Sequence, residues 1–131
     1  MSYKSYSNLG VDASAPSPDS VIKVPEITSK QDRDQVISSY KVVVIDNFAD
    51  WCGPCQYIAP HFAQLAKKYS QPKVCSFFKE DVEKRIPGAP IITGVPCFHF
   101  YVNGNYQRSL TVTGGDLDAL NASLATALKS N

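Results

Sequence analysis

The sequence has no marked excess of charge and no long apolar run. Its 131 residues include 13 basic and 12 acidic side chains, which give a formal net charge of +1, and like charges form no extended run. Proteins that bind nucleic acids or membrane surfaces usually carry a basic patch or a basic amphipathic stretch. No apolar segment approaches the ~20 residues needed to span a bilayer. We therefore expect neither nucleic acid nor a membrane as a partner.

The N-terminus also lacks the apolar core of a secretory signal. Residues Met1–Asn8 are mostly polar, which predicts a cytoplasmic protein whose thiols stay reduced. The chain has only four cysteines, and in a reducing compartment they indicate redox chemistry rather than a framework of disulfides. A chain of 131 residues that is 44% hydrophobic can bury a core without disulfides.

Two segments are expected along the chain. Residues 1–20 are rich in serine, contain Gly10, Pro16 and Pro18, and show no sustained hydrophobic periodicity, which predicts a flexible N-terminal arm. Residues 21–131 carry strand and helix patterns without an internal repeat, which predicts one folded domain.

Five stretches of this domain predict β-strands. They are residues 21–27, 42–48, 74–78, 97–102 and 106–112. Pro25 has no backbone N–H to donate, so the first strand should lie at an edge of the sheet. Asn103-Gly104 is a strong signal for a two-residue hairpin turn, which makes the last two strands antiparallel neighbours.

Three helices are predicted around these strands. A polar helix starts after Thr28 or Ser29 and runs to about Ser39, and a second helix follows residue 52 and is kinked rather than ended at Pro60. The second and third helices each have one apolar face, formed by Ile58, Phe62, Leu65 and Tyr69 and by Leu117, Leu120, Leu124 and Leu128. Residues 81–93 leave room only for a short helix or a loop. This order predicts an α/β fold with a central mixed five-stranded sheet and helices on both of its faces.

The segment Trp51–Cys55 reads Trp-Cys-Gly-Pro-Cys and stands where a predicted strand passes into a helix. At that place the first thiol lies at the positive end of the helix dipole, which stabilises its thiolate. Half of a zinc site and a structural disulfide are the alternatives. Zinc needs four ligands, and Cys75 and Cys97 are lone residues without the spacing of a second pair. The pattern therefore favours a dithiol–disulfide site that needs neither a metal nor a cofactor.

From about Val21 to its C-terminus the chain resembles the thioredoxin family. The resemblance rests on the complete Trp-Cys-Gly-Pro-Cys motif and on residues that match the family elsewhere in the chain. These are Asp46, Pro60, Lys79, the segment Gly94–Pro96 and the hairpin Asn103-Gly104. The resemblance implies a thioredoxin fold and a protein-disulfide reductase. Three positions depart from the family pattern, namely Asn47, Gln56 and Cys97.

The resemblance also implies a role for each thiol. Cys52 should be the attacking nucleophile, with more solvent access than Cys55 and a lowered thiolate pKa. Cys55 should be more buried and should resolve the mixed disulfide between Cys52 and the substrate. Asp46, a carboxylate within an apolar strand, should have a raised pKa and act as the base for Cys55, with Lys79 moderating that pKa. A buried acid with a purely structural hydrogen bond and an ordinary solvated surface lysine remain open as alternatives for these two positions.

Five further residues are expected to bind substrate. Gly53 and Pro54 keep the loop between the cysteines tight, and Trp51 should be a half-exposed apolar contact. Val95 and Pro96 should pair through their backbone with an extended substrate segment, and the resemblance implies a cis bond before Pro96. Two other cysteines, Cys75 and Cys97, are interpreted as small buried apolar residues, with Cys97 the better candidate for regulation.

The expected partners are disulfide-containing proteins and, as electron donor, an NADPH-dependent thioredoxin reductase, with the chain itself a monomer. Two other functions stay open at this stage. The same scaffold serves disulfide isomerases and oxidases, and it also serves binding modules or subunits in which the dithiol is incidental. The proline at position 54 counts against an isomerase, because a polar residue there would be a partner for the Cys52 thiolate.

Overall fold

The computed structural model describes residues 23–130. The predicted arm, residues 1–20, lies outside the described residues and stays a prediction, as do the first two residues of the predicted edge strand. The described chain has three helices, α1 (Lys30–Ser39), α2 (Gly53–Tyr69) and α3 (Leu117–Lys129). Its five strands are β1 (Val42–Phe48), β2 (Cys75–Asp81), β3 (Cys97–Val102), β4 (Asn105–Tyr106) and β5 (Val112–Thr113).

The five strands form one mixed sheet, which confirms the predicted α/β architecture. The order across the sheet is β2-β1-β3-β4, and β5 also pairs with β3. β1 is parallel to β2 and antiparallel to β3, so the central strand has hydrogen-bonded neighbours on both sides. β1 ends at Phe48, shortly before the Trp-Cys-Gly-Pro-Cys segment, so this central strand leads into that segment.

Two of the predicted strands were too long. The edge strand is reduced to an isolated bridge between Glu26 and Lys79, because Pro25 offers only its carbonyl to the Lys79 amide. The predicted return strand is broken by a 3-10 turn at Arg108–Leu110. Tyr106 faces Tyr101 and Val112 faces Phe98, so the returning chain has more residues than the stretch of β3 opposite it. The surplus residues form the turn.

Helices cover both faces of the sheet, as predicted. α2 and α3 pack on one face against a core that includes Val42, Val44, Phe77, Phe98 and Phe100. α1 packs on the other face, where Val36 meets Val43, Ile45, Phe78 and Tyr101. In β1 the alternating side chains thus serve two different cores, which explains why this strand is apolar on both sides.

Local signals in the sequence account for the ends of these elements. The Ser29 hydroxyl accepts a hydrogen bond from the Asp32 amide (3.0 Å), and the Asp116 carboxylate accepts one from the Ala119 amide (3.0 Å), so each caps a helix. Asn103 and Gly104 have φ angles of 52° and 82°, the left-handed pair that a two-residue hairpin turn requires. α2 continues through Pro60. Among residues 23–130 no helix is long and apolar enough to cross a bilayer.

Candidate active site

Cys52 and Cys55 form a disulfide at the N-terminus of α2. β1 ends at Phe48, a short turn follows, and Cys52 then caps the helix, with its sulfur 3.1 Å from the amide of Cys55. Pro54 lies in the first turn, where its missing N–H leaves no hydrogen bond unmade. This geometry places the Cys52 sulfur beside an amide donor at the positive end of the helix, which is the setting that stabilises a thiolate.

The two cysteines are equally buried in the disulfide form, at 4% exposure each. The expectation that Cys52 is the more accessible of the two is therefore wrong for this state. Its sulfur lies 3.6 Å from the Val95 carbonyl oxygen, and both cysteines pack against Ala49. Trp51 is more exposed than expected, at 70%, and its indole N–H donates to Glu83 (3.2 Å).

Asp46 and Lys79 are direct partners across β1 and β2. Asp46 is buried, and burial raises the pKa of its carboxyl to about 7, while the positive charge of Lys79 acts in the opposite direction. No group among residues 23–130 donates a hydrogen bond to Asp46 Oδ1. The Lys79 ammonium lies 5.5 Å from the centre of the Phe48 ring. The sheet thus holds an acid with a pKa of about 7, and its Oδ1 atom accepts no hydrogen bond from residues 23–130.

Asp46 faces the same side of the sheet as the first turns of α2. Along β1 it alternates in phase with Val42 and Val44, which pack beneath α2, and its partner on β3 is Phe98 of the same core. Cys55 and Ile58, one helical turn apart, are buried residues of α2. The carboxyl therefore lies under the helix that carries Cys55.

The loop before β3 forms a second border of the site. The Val95–Pro96 peptide bond is cis, as the resemblance implied, and the Pro96 carbonyl accepts a hydrogen bond from the Gly114 amide (2.7 Å). Gly115 lies opposite Pro54, where an added Cβ atom would come to 3.5 Å from the proline, an ordinary contact distance. Gly53 and Pro54 are exposed.

A groove of about 440 Å³ has Trp51 in its lining. Its apolar lining includes Ile86, Ile92 and Val95, and Glu80 and Arg85 add charged groups. Val95 belongs both to this groove and to the contact with the Cys52 sulfur. A segment bound in the groove would therefore lie next to the disulfide.

Sequence reasoning missed the contacts of three buried polar residues, Arg33, Glu80 and Asn47. Arg33 of α1 and Glu80 of β2 form an ion pair with 2% and 5% of their side chains exposed. Asn47, noted only as a departure from the family, donates to the Cys97 carbonyl (2.8 Å) and lies 3.2 Å from His99 Nδ1. The only signal for Arg33 was its place in a helix whose other residues are mostly polar, which does not distinguish it from its exposed neighbours.

The remaining two cysteines begin strands β2 and β3. Cys75 and Cys97 are both buried and free. Burial raises the pKa of the Cys75 thiol to about 12 and also raises that of Cys97. Such thiols stay protonated at neutral pH and are poor nucleophiles. Within residues 23–130 no group of three or more histidine, cysteine or acidic side chains is placed to hold a metal ion.

Comparison with known proteins agrees with this geometry. The model of the thioredoxin family matches residues 23–126. Thioredoxin from Neurospora crassa is 35% identical over 104 residues, which cover 76% of this chain and 82% of that protein. The crystal structure of Malassezia sympodialis thioredoxin superposes with a TM-score of 0.70 at 35% identity and covers 82% of this chain and 96% of that one. A Plasmodium falciparum thioredoxin structure gives a TM-score of 0.69 at 34% identity, with 79% and 98% coverage.

The chain belongs to the thioredoxin family. With its Cys52–Cys55 disulfide it is a thiol–disulfide oxidoreductase, and disulfides are its substrates.

Proposed function

We propose that this oxidoreductase works as a general protein-disulfide reductase, with Cys52 as the attacking thiol and Cys55 as the resolving thiol. The observation that carries the proposal is the position of the pair. Cys52 caps α2, and its sulfur accepts a hydrogen bond from the Cys55 amide. Cys55 itself lies within the first turn of the helix. A helix N-terminus lowers the pKa of the capping thiol more than that of a thiol inside the helix.

The reaction proceeds by two exchanges. The Cys52 thiolate attacks one sulfur of the substrate disulfide, so the substrate S–S bond breaks, a mixed disulfide forms and the other substrate sulfur leaves as a thiolate. Cys55 then loses its proton and attacks the Cys52 sulfur, which breaks the mixed disulfide and releases the second substrate thiol. The substrate gains two electrons, and the protein ends with the Cys52–Cys55 disulfide.

Asp46 is the proposed acceptor of the Cys55 proton. Burial raises the pKa of its carboxyl to about 7, so a large fraction is ionised at neutral pH and can accept a proton. Lys79 supports this role by lowering that pKa from the still higher value that burial alone would produce. Asp46 acts from the buried side of the sheet beneath α2, and Lys79 is half-buried beside it.

The direction of electron flow follows from the residues between the cysteines. Pro54 offers no charge or hydrogen-bond donor to the Cys52 thiolate, so the reduced form gains no extra stabilisation. This favours a reducing couple. Its reduction potential should be about −270 mV, as in thioredoxin, rather than about −180 mV, as in the isomerase. An NADPH-dependent thioredoxin reductase is the proposed electron donor, and the chain is proposed to act as a monomer in the cytoplasm.

The exposed residues around the disulfide form the proposed surface for protein substrates. Trp51, Gly53 and Pro54, which adjoin the cysteines in the chain, are exposed, and the Val95 carbonyl oxygen lies 3.6 Å from the Cys52 sulfur. An extended substrate segment can pair with that backbone as an added strand while its disulfide meets Cys52.

Insulin reduction with dithiothreitol as electron source tests the proposal. Cys52→Ser should abolish the reaction, whereas Cys55→Ser should form a stable mixed disulfide with insulin that mass spectrometry detects. Cys75→Ala, which removes a buried thiol outside the pair, is the matched control and should retain activity. Faster alkylation of Cys55 than of Cys52 by iodoacetamide in the reduced protein would contradict the assignment. Turnover with NADPH and a thioredoxin reductase tests the electron donor separately.

A further inference from the structure

The buried ion pair of Arg33 and Glu80 joins α1 to β2 behind the groove. Arg33 Nε donates to Glu80 Oε1 (3.1 Å) and Nη2 donates to Oε2 (2.7 Å), so the guanidinium binds both carboxylate oxygens. Burying two charges is costly, and apolar residues of similar volume often stabilise a fold as well or better. Stability alone is therefore a weak reason for this pair, and its other contacts show what else it does.

The same guanidinium binds the backbone of the groove wall. Arg33 Nη1 donates to the Pro87 carbonyl (2.7 Å), and Nη2 reaches the Ile86 carbonyl (3.3 Å). Residues 85–96 lie outside every helix and strand, so no ladder of backbone hydrogen bonds holds them in place. Arg33 supplies a side-chain tether to this segment from a rigid helix.

The tethered segment is the one that lines the groove beside the disulfide. Ile86, Ile92 and Val95 contribute to the groove, and Glu80 lies in its lining as well. Val95 also places its carbonyl oxygen 3.6 Å from the Cys52 sulfur. The contacts of Arg33 with Ile86 and Pro87 therefore hold one end of the segment that reaches the reactive sulfur at Val95.

We propose that Arg33 is a positioning residue that sets the geometry of the groove and thereby determines how tightly protein disulfides bind. The inference rests on the proposed reductase function. A folded or extended protein substrate must fill the groove while its disulfide meets Cys52, so a displaced wall weakens its binding. A small disulfide reaches the Cys52 sulfur without the groove, and its reduction does not depend on Arg33.

Lysine can replace only part of what arginine does here. A guanidinium has five donors in a planar fork and binds a carboxylate and two carbonyls at once, whereas an ammonium on a flexible stem is a single point charge. Arg33→Lys keeps the positive charge next to Glu80 but loses at least part of the tether. Arg33→Met removes both. The two variants thus separate charge compensation from positioning.

The test is single-turnover oxidation of the reduced protein by insulin and, separately, by the small disulfide 5,5′-dithiobis(2-nitrobenzoate). For Arg33→Met the insulin concentration that gives half of the limiting rate should rise about tenfold, the size expected for losing a hydrogen bond to a charged group. The limiting rate and the reaction with the small disulfide should stay unchanged. Arg33→Lys should give a smaller rise. Arg108→Met, which removes an exposed guanidinium from the 3-10 turn, is the matched control.

Thermal unfolding of each variant establishes that it is folded at the assay temperature. Unchanged half-saturation by insulin in a folded Arg33 variant would overturn the proposal, and so would a parallel loss with both substrates. If both variants fail to fold, Arg33 acts in folding and the proposal is wrong. A parent protein that reduces neither substrate would instead refute the reductase function.

Discussion

Replacing Asp46 with asparagine removes a buried charge and keeps nearly the same side-chain shape. Burial raises the pKa of this carboxyl from 3.8 to about 7, and the attraction of Lys79 opposes the rise. Over the range between these values the folded protein keeps a proton on Asp46 that the unfolded chain has lost. The carboxyl therefore destabilises the fold increasingly as the pH rises through this range.

The magnitude follows from the two pKa values. The gap between 3.8 and about 7, at about 1.4 kcal/mol per pH unit, corresponds to about 4 kcal/mol. Almost all of this cost is present at about pH 7 and little of it at about pH 4. Asparagine does not ionise, so Asp46→Asn should exceed the parent in stability by a margin that grows from under about 1 kcal/mol to about 4 kcal/mol. In a domain of this size that margin raises the Tm at neutral pH by about 10–15 °C.

Urea unfolding of the oxidised protein at a series of pH values measures this margin directly. Asp50→Asn, which changes an exposed acid on the adjacent turn, is the control and should show no such growth. A constant difference between Asp46→Asn and the parent from about pH 4 to about pH 8 would refute the reasoning. The same variant should resolve the mixed disulfide about a hundredfold more slowly near neutral pH, since a positioned base typically contributes at least that much.

Two further predictions concern charges near the sheet. Lys79→Met removes the charge that lowers the Asp46 pKa, so the pH midpoint of mixed-disulfide resolution should move upward, while Lys84→Met on the surface should leave it in place. Burial lowers the pKa of His99 from 6.5 to about 4, so the folded protein excludes a proton that the unfolded chain binds, and stability should fall by up to about 3 kcal/mol as the pH drops through this range. His99→Gln should remove that loss in urea unfolding at about pH 5, and an unchanged loss would contradict the assignment.

Short-range patterns in the sequence were enough to predict most of the fold. The apolar run of β1, the Asn103-Gly104 turn and the periodicity of α2 each depend on neighbours within a few residues, and each is confirmed by the structure. The strand before Lys30 and the strand after Tyr106 were predicted too long. Their true extent depends on pairing with β2 and β3, which neighbouring residues in the sequence do not specify.

The sequence by itself determined where the reactive cysteines lie, because a Cys-x-x-Cys pair at a strand-to-helix junction is a local feature. It also indicated a buried acid at Asp46, since a carboxylate within an apolar strand is visible as a break in the pattern. Only the tertiary structure decided that Arg33 meets Glu80 across 47 residues of chain and tethers the groove wall. An arginine in a polar helix has the same local pattern whether it faces water or a buried carboxylate, and the packing of α1 on the sheet makes that choice.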